Sequence, residues 1–488
     1  MLGEFQIYYK IWQNDIKRLK CWYFLVAFCY VIMPMIKKRG KKKKKEKTVM
    51  KQKKRASAAI CLLGTALTVG FLSGCGAEQN NGKTRIESVQ YKPEALKAFE
   101  ILEEKFNATH DDIELVIDSP NDAMTILKTR FIREDYPDII GIGGDVNYSN
   151  FLDSDMLMDI SDYQGLENIK ESYLNTAKEL EFVPEEGVYA APYMANAAGI
   201  LYNKEIFDEN GWTIPTTLDE FYQLCEDIQA AGIQPLYFGF KDTWTCLAPW
   251  NAICVDLAPS GICSQVNAGN AKFADAYRPV AEVTKSLLAY AQPDPYAYSY
   301  NDACTAFARG ESAMYVIGSY AVPQIKSVNP DIQIDSFVFP ASNNPDENIL
   351  NSGNDLQWSV MAGCENKEAV YEVLDFLYED ENIQTYLDDQ NAVPCKKGNF
   401  NLPSMLDGMK SYIVEGKIAD YQDHHYPSEM SVDAMIQTYL MDDSENALDT
   451  FLNKFDTEWV RYNRDLIQKV QKYYEEHPEK QTEGGEES

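Results

Sequence analysis

Only four of the 488 residues are histidine: His110, His424, His425 and His477. That scarcity argues against a zinc enzyme or a histidine base. The His424–His425 pair has no second ligand cluster near it in sequence and reads as a loop. Seven cysteines follow position 75: Cys225, Cys246, Cys254, Cys263, Cys304, Cys364 and Cys395. Their number is odd and no CxxC occurs, so neither a disulfide framework nor a thiol or zinc motif is expected. They read as small buried hydrophobes. No GxSxG elbow and no GxxxxGK[ST] phosphate loop is present. The loop GIGGDVNYSN would need glycine at 146 to be a dinucleotide fingerprint, and that residue is Val146. Carboxylates are abundant, so a hydrolytic pair stays open on supply alone. Tyrosine and tryptophan are also plentiful, at 31 and 7. No metal and no cofactor is implied.

Charge is unevenly spread. Residues 1–75 hold 17 of the 45 Lys and Arg but 3 of the 75 Asp and Glu, which leaves 28 basic and 72 acidic residues beyond them, a net charge of −44. So acidic a body repels nucleic acid and anionic lipid, where phosphate contacts dominate. It suits a neutral or cationic ligand, and equally a surface that is merely kept soluble.

The acidic body is preceded by MKQKKRASAAICLLGTALTVGFLSGC, from Met50 to Cys75. Lys51, Lys53, Lys54 and Arg55 form a basic region, Ala56 to Leu72 an apolar one, and small residues lead to Cys75. This order is that of a secretory signal. LSGC resembles the bacterial lipobox, in which the cysteine thiol is acylated, with palmitate for example, and the chain is cut before it. An uncleaved membrane helix is the alternative. Residues 76–83 read as a tether. Residues 1–49 fit poorly: the apolar run Cys21–Ile36 is short for a span and contains Pro34. They are expected to be a mis-assigned upstream extension, with translation starting at Met50; a further membrane anchor is the other reading.

The elements that must position a site alternate. RIESVQY (85–91) reads as a strand. Pro93 opens a helix whose Ala95, Phe99, Leu102 and Phe106 form one apolar stripe. IELVI (113–117) is a second strand, AMTILKTRFIRE a helix, and YPDIIGI (136–142) a third strand. Such alternation predicts a mostly parallel sheet, with ligands at the carboxyl ends of its strands. The loop after the third strand is then a site candidate.

Five segments carry a resemblance. YPDIIGIGGDVNYSNFLDSDMLMDISDY resembles the strand, ligand loop and helix of extracellular solute-binding proteins. GVYAAPYMANAAGILYNKEIFDENGWTIPTTLDEFYQLCEDIQAAGIQPL is similar to that family's hinge segment. AFARGESAMYVIGSYAV, NKEAVYEVLDFLYEDENIQTYL and NAVPCKKG follow in the family's order. From about Arg85 to Tyr474 the chain resembles the sugar-binding lipoproteins of ABC importers, the maltodextrin-type group included. The resemblance implies an α/β fold of two lobes joined by a hinge, the type II periplasmic-binding-protein arrangement. It places lobe one at 84–194 plus 354–396, lobe two at 196–350 plus 397–474, and a disordered tail at 475–488.

A sugar presents hydroxyls and apolar C–H faces, so its site needs aromatic platforms and polar side chains. The resemblance points to Asp145, which could equally cap the following helix, and to Tyr193 and Asn196 in the hinge. Tyr193 could be core, and the Asn196 amide stands where maltodextrin binders tend to have an acid. Trp244 and Tyr320 match aromatic positions of lobe two. Trp358 is placed as evenly in site as in core, and Asp355 beside it is a weaker candidate. Gln90 and Tyr91 end the first strand and enter on position alone. Trp250 is expected to pack internally, and Tyr202, Asn203 and Lys204 to be structural.

The expected function is a monomeric, lipid-anchored receptor on the extracellular face of the cell membrane. It would capture a sugar or oligosaccharide and deliver it to the permease subunits of an ABC transporter, with no chemical step. A secreted carbohydrate hydrolase is the alternative from another class. The same fold binding another solute, or signalling to a membrane kinase, is the alternative within it.

Overall fold

The computed structural model describes residues 82–478 and 480. Cys75, the signal segment 50–75, residues 1–49, nearly all of the tether and residues 481–488 lie outside them. The strands are β1 Thr84–Gln90, β2 Ile113–Asp118, β3 Ile139–Ile142, β4 Ala191–Ala195, β5 Ala198–Asn203, β6 Met314–Gly318, β7 Ile334–Phe337, β8 Leu350–Asn351, β9 Asn354–Val360, β10 Val393–Pro394 and β11 Ile418–Ala419. The first helices are α1 Leu96–Thr109, α2 Ala123–Ile132, α3 Val146–Leu152 and α4 Glu171–Glu179.

The strands form two sheets. One has six strands in the order β10-β4-β9-β3-β1-β2; the other runs β11-β8-β5-β6, with β7 also on β5. The chain passes from the first sheet to the second between β4 and β5, through Asn196 and Ala197, and returns between β8 and β9, through Ser352 and Gly353. The expected parallel sheet is corrected. β1 pairs with β2 and β3 in parallel, but β3 with β9, β4 with β9 and β10 with β4 are antiparallel. β9 enters by a direct crossing from the other sheet, with no helical crossover to force it parallel, and lies antiparallel between β3 and β4. The third strand starts at Ile139, not Tyr136. Pro137 has no N–H for the ladder, and the Asp138 carboxylate accepts the Glu87 amide at 2.9 Å.

The apolar stripe of the first helix is buried as its spacing demands. Ala95 lies in a short 3-10 turn opened by Pro93, and Phe99, Leu102 and Phe106 lie in α1. Phe99 meets Trp358 and Tyr386 at 5.5 Å between ring centroids, and Tyr193 meets the same two rings at 5.7 and 5.6 Å. A second core holds Trp250, whose indole donates to Tyr426 Oη at 3.0 Å. Asn203 caps the helix Lys204–Asn210, accepting from two backbone amides. All seven described cysteines are free, and six are buried. The last helix runs to Glu476 and so takes in the first two residues of the expected tail, and His477 stacks on Tyr473. Among the described residues no helix is long and apolar enough to cross a membrane.

Candidate functional site

β3 ends in a glycine run because the neighbouring backbone is crowded. A Cβ on Gly141 would lie 2.6 Å from Trp358 and 2.7 Å from Gln90, and one on Gly144 would lie 2.9 Å from Asn354. The chain then opens α3, with Asp145 at its N-cap. Asp145 Oδ1 accepts the Asn147 amide at 2.7 Å, so it does cap the helix. Among the described residues its Oδ2 accepts only from the Asn147 side chain, at 3.3 Å. A Cβ on Gly143 would lie 3.6 Å from that oxygen and 3.2 Å from Tyr91 Oη, so the tyrosine and the carboxylate converge over this glycine.

Asp355 ties three segments together. Tyr91 Oη donates to its backbone carbonyl at 2.6 Å, Lys92 Nζ lies 2.6 Å from Oδ2, and Asn196 Nδ2 donates to Oδ1 at 3.0 Å. The end of β1, the β4–β5 crossing and the start of β9 therefore meet on one carboxylate. Burial works against the Lys92 ammonium, but the charge and hydrogen bond of Asp355 outweigh it and hold the lysine above its ordinary value. Burial, then Asp355 and Asp145, push the Tyr91 hydroxyl well up.

After β11 a 3-10 turn, Gln422–His425, brings charge against the β8–β9 crossing. Asp420 takes His424 Nδ1 at 2.9 Å and His425 Nε2 at 3.3 Å. A Cβ on Gly353 would clash at 2.0 Å with Asp420 Oδ1, so the β8–β9 crossing lies directly on this pair. Burial tends to discharge His424, but Asp420, then Asp423 and Asp145, raise it to about 10. Asp420 is held below its ordinary value: burial opposes this, and the two imidazoles prevail. Asp423, which accepts from Asn251 Nδ2 at 2.7 Å, is raised by burial.

The sign of the pH dependence follows. A histidine raised in the folded state contributes stability that is complete below its ordinary value, about 6.5. That contribution is lost as the pH rises through about 10. Asp420, lowered, contributes above its ordinary value and loses that contribution in acid. The urea midpoint of the wild type is expected to exceed that of His424→Gln more at pH 6 than at pH 9.5. An equal gap at both would mean that the imidazolium is not what Asp420 holds.

Aromatic rings come from the second-sheet half. Tyr320 follows β6 in a 3-10 turn, Ser319–Ala321, folded back over Gly318, where a Cβ would meet its ring at 2.3 Å. Trp244 lies in the turn Thr243–Cys246. The two rings are 6.3 Å apart, Tyr300 stands 5.0 Å from Trp244, and Trp244 and Tyr320 remain 42% and 38% exposed. Large aromatic rings left this open form a platform. Asp423 bears electrostatically on Tyr320 and, with Asp355, on Tyr421.

The expected residues thus divide. Tyr91, Asp145, Asn196 and Asp355 form one connected group, and Trp244 and Tyr320 another. Gln90, Tyr193 and Trp358 are wholly buried. Gln90 closes the turn after β1 on the Lys92 backbone, at 2.6 and 2.7 Å. Tyr193 and Trp358 pack in the core with Phe99 and Tyr386, the alternative reading of both positions. Neither ring has a face left for a sugar. Lys92, Asp420, Tyr421, Asp423, His424 and His425 were not singled out as site residues. For all but Lys92 the signal was the density of acids, aromatics and histidines in ADYQDHHYP. The pair does sit in a turn, and among the described residues no cluster could hold a metal.

A family model described as bacterial extracellular solute-binding protein matches residues 89–384. The multiple sugar-binding protein of Streptococcus mutans is 27% identical over 411 residues, which span 81% of this chain and 96% of that protein. The apo form of RafE from Streptococcus pneumoniae superposes with a TM-score of 0.68 at 23% identity, over 78% of this chain and all of that one. RafE in complex with raffinose superposes at 0.60, with 23% identity, over 77% and all of the respective chains.

Proposed function

The chain belongs to the bacterial extracellular solute-binding proteins, and from that premise we propose that it is the sugar receptor of an ABC importer. The observation that carries this reading is the exposed Trp244–Tyr320 platform in a chain whose Tyr91, Asp145, Asn196 and Asp355 converge elsewhere on a polar group. Rings take the C–H faces of a sugar, and carboxylates and amides take its hydroxyls. The names of relatives that bind multiple sugars or raffinose support a neutral saccharide. The family consists of binding proteins, so no chemical step is assigned.

In this reading the lobes are 84–194 plus 354–396 and 196–350 plus 397–474, and the crossings at Asn196 and Gly353 are the hinge. Ligand stabilises the closed form, which the permease would recognise. The receptor works as a monomer, held to the extracellular face of the membrane by acyl chains on Cys75. Two or more chains give stable attachment. Mass spectrometry of the protein from its native membrane tests the anchor: an acylated N-terminal Cys75 supports it, and peptides from before Cys75 would refute it.

The test of function is a thermal-shift and calorimetric screen of residues 76–488 against melibiose, raffinose, stachyose and maltotriose, with amino acids and polyamines as controls. A ligand at 100 times its Kd stabilises by about 2.7 kcal/mol. Stabilisation by one saccharide class is expected. Stabilisation by a non-sugar alone would keep the fold and overturn the substrate.

A further inference from the structure

A cavity of about 270 Å³ that shares no lining residue with the groups above lies between α4 and the stretch Gly187–Ala190 that leads into β4, with Tyr148 of α3 in its lining. Its walls are mixed: Leu174 and Ala177 on the helix and Val188 and Ala190 opposite are apolar, while Glu171, Asn175 and Lys178 bring polar and charged groups. The far wall is pinned. Val188 N–H donates to Asp159 Oδ1 at 3.1 Å and to Ser161 Oγ at 3.0 Å, and its carbonyl accepts Ile160 N–H at 2.8 Å. A Cβ on Gly187 would lie 2.8 Å from the Asp159 carboxyl carbon. The cavity is therefore a fixed part of the fold.

Glu181 lines this space and is 91% buried by its 9% residual exposure. Its Oε2 accepts the Glu185 amide at 2.9 Å. Its other oxygen takes no donor among the described residues. Two tyrosines complete the lining, Tyr148 and Tyr189. The lining carries two carboxylates, Glu171 and Glu181, against one ammonium, Lys178, and phenol rings add the attraction of a π-face for a cation. The volume, about 270 Å³, suits a small molecule rather than an oligosaccharide.

We propose that this cavity is a second ligand site, distinct from the sugar site, that takes a small organic ammonium ion with apolar substituents, its charge on Glu181 and its alkyl groups against Tyr148 and the α4 wall. Burial raises the Glu181 carboxyl to about 7, against the Glu185 amide and Lys178. Lys178, on the cavity wall, repels a cation; Glu185 favours one. Tyr148 and Tyr189 are held protonated, Tyr148 mainly by burial with Glu181 and Tyr189 mainly by burial with Glu185 and Asp159. Ionised Glu181 is the binding form, so affinity for the cation rises with pH across neutrality.

The probe is choline, with 3,3-dimethylbutan-1-ol as its uncharged isostere, titrated by calorimetry into residues 76–488 at pH 6 and pH 8. Choline is expected to bind ~10-fold more tightly at pH 8, because the ionised fraction of a group near 7 changes by about that factor. Glu181→Gln should weaken it at least ~10-fold at pH 8, and Lys178→Gln should tighten it ~2-fold or more. Glu181→Gln should leave unchanged the rise in melting temperature that raffinose, or whichever solute the screen identifies, produces. This separates failure of this site from failure of the receptor reading. Absence of choline binding at millimolar concentration, equal binding of the isostere, or binding indifferent to Glu181→Gln would each overturn the proposal.

Discussion

Asp355→Ala is expected to lower the unfolding free energy by about 2–4 kcal/mol and to weaken sugar binding at the same time. The stability effect comes from Lys92. Its side chain is 13% exposed and lies 2.6 Å from an Asp355 carboxylate that is itself 9% exposed. Removing one member of a buried, hydrogen-bonded pair leaves the other charge in a poor solvent, which costs about 3–5 kcal/mol when burial is complete. Glu94, 3.1 Å from Lys92 but 53% exposed, compensates for part of it. Asn196 Nδ2 and Tyr91 lose their partner or its support together, so the β1 end and the β4–β5 crossing lose a shared anchor. Urea denaturation checks the magnitude. The double variant Lys92→Met with Asp355→Leu should recover most of the loss, because a neutral pair of similar volume removes both desolvated charges. If the double variant is as unstable as the sum of the singles, the loss belongs to packing and the ion-pair account fails.

Tyr320→Ala and Trp244→Ala should do the reverse: leave the fold and lose the ligand. Both rings are more than a third exposed, and surface substitutions of this kind usually change stability by no more than about 0.5 kcal/mol. A sugar stacked on either ring loses ~1–2 kcal/mol of contact, or ~5- to 30-fold in Kd. The rings are 6.3 Å apart and would grip one ligand, so the double variant should fall short of the product of the single effects. Tyr320→Phe keeps the stacking face and should keep most of the affinity. Calorimetry against the saccharide found in the screen decides the matter. Unchanged affinity in both alanine variants would remove these rings from the site.

The contrast between the two variants reflects how each residue was reached. Trp244 and Tyr320 were legible as candidates from their place in a resembling segment, and the structure leaves both open to solvent. Tyr193 and Trp358 came from the same kind of reading and are buried. On a strand, successive side chains point to opposite faces, so a one-residue difference separates a ligand surface from the four-ring core. Nothing in APYMA or NDLQWSV says which face a helix will cover. Here α1 supplies Phe99 and the helix Asp380–Asp389 supplies Tyr386, both far away in the chain.

Local patterns settled what local physics governs. The 3.6-residue apolar stripe of α1, the β1 and β2 runs, the cap at Asn203 and the absence of catalytic and nucleotide motifs could all be read from the residues. The order of quoted segments was enough to assign the family. Only the tertiary structure decided the rest. It made the first sheet mixed, because β9 arrives by a direct crossing and inserts antiparallel between β3 and β4. It set Asp420 and His424 against Gly353, some 70 residues earlier in the chain, and joined Tyr91 to Asp355 across 264 residues. Such pairings depend on which distant strands meet, and short-range propensity and periodicity carry no information about that.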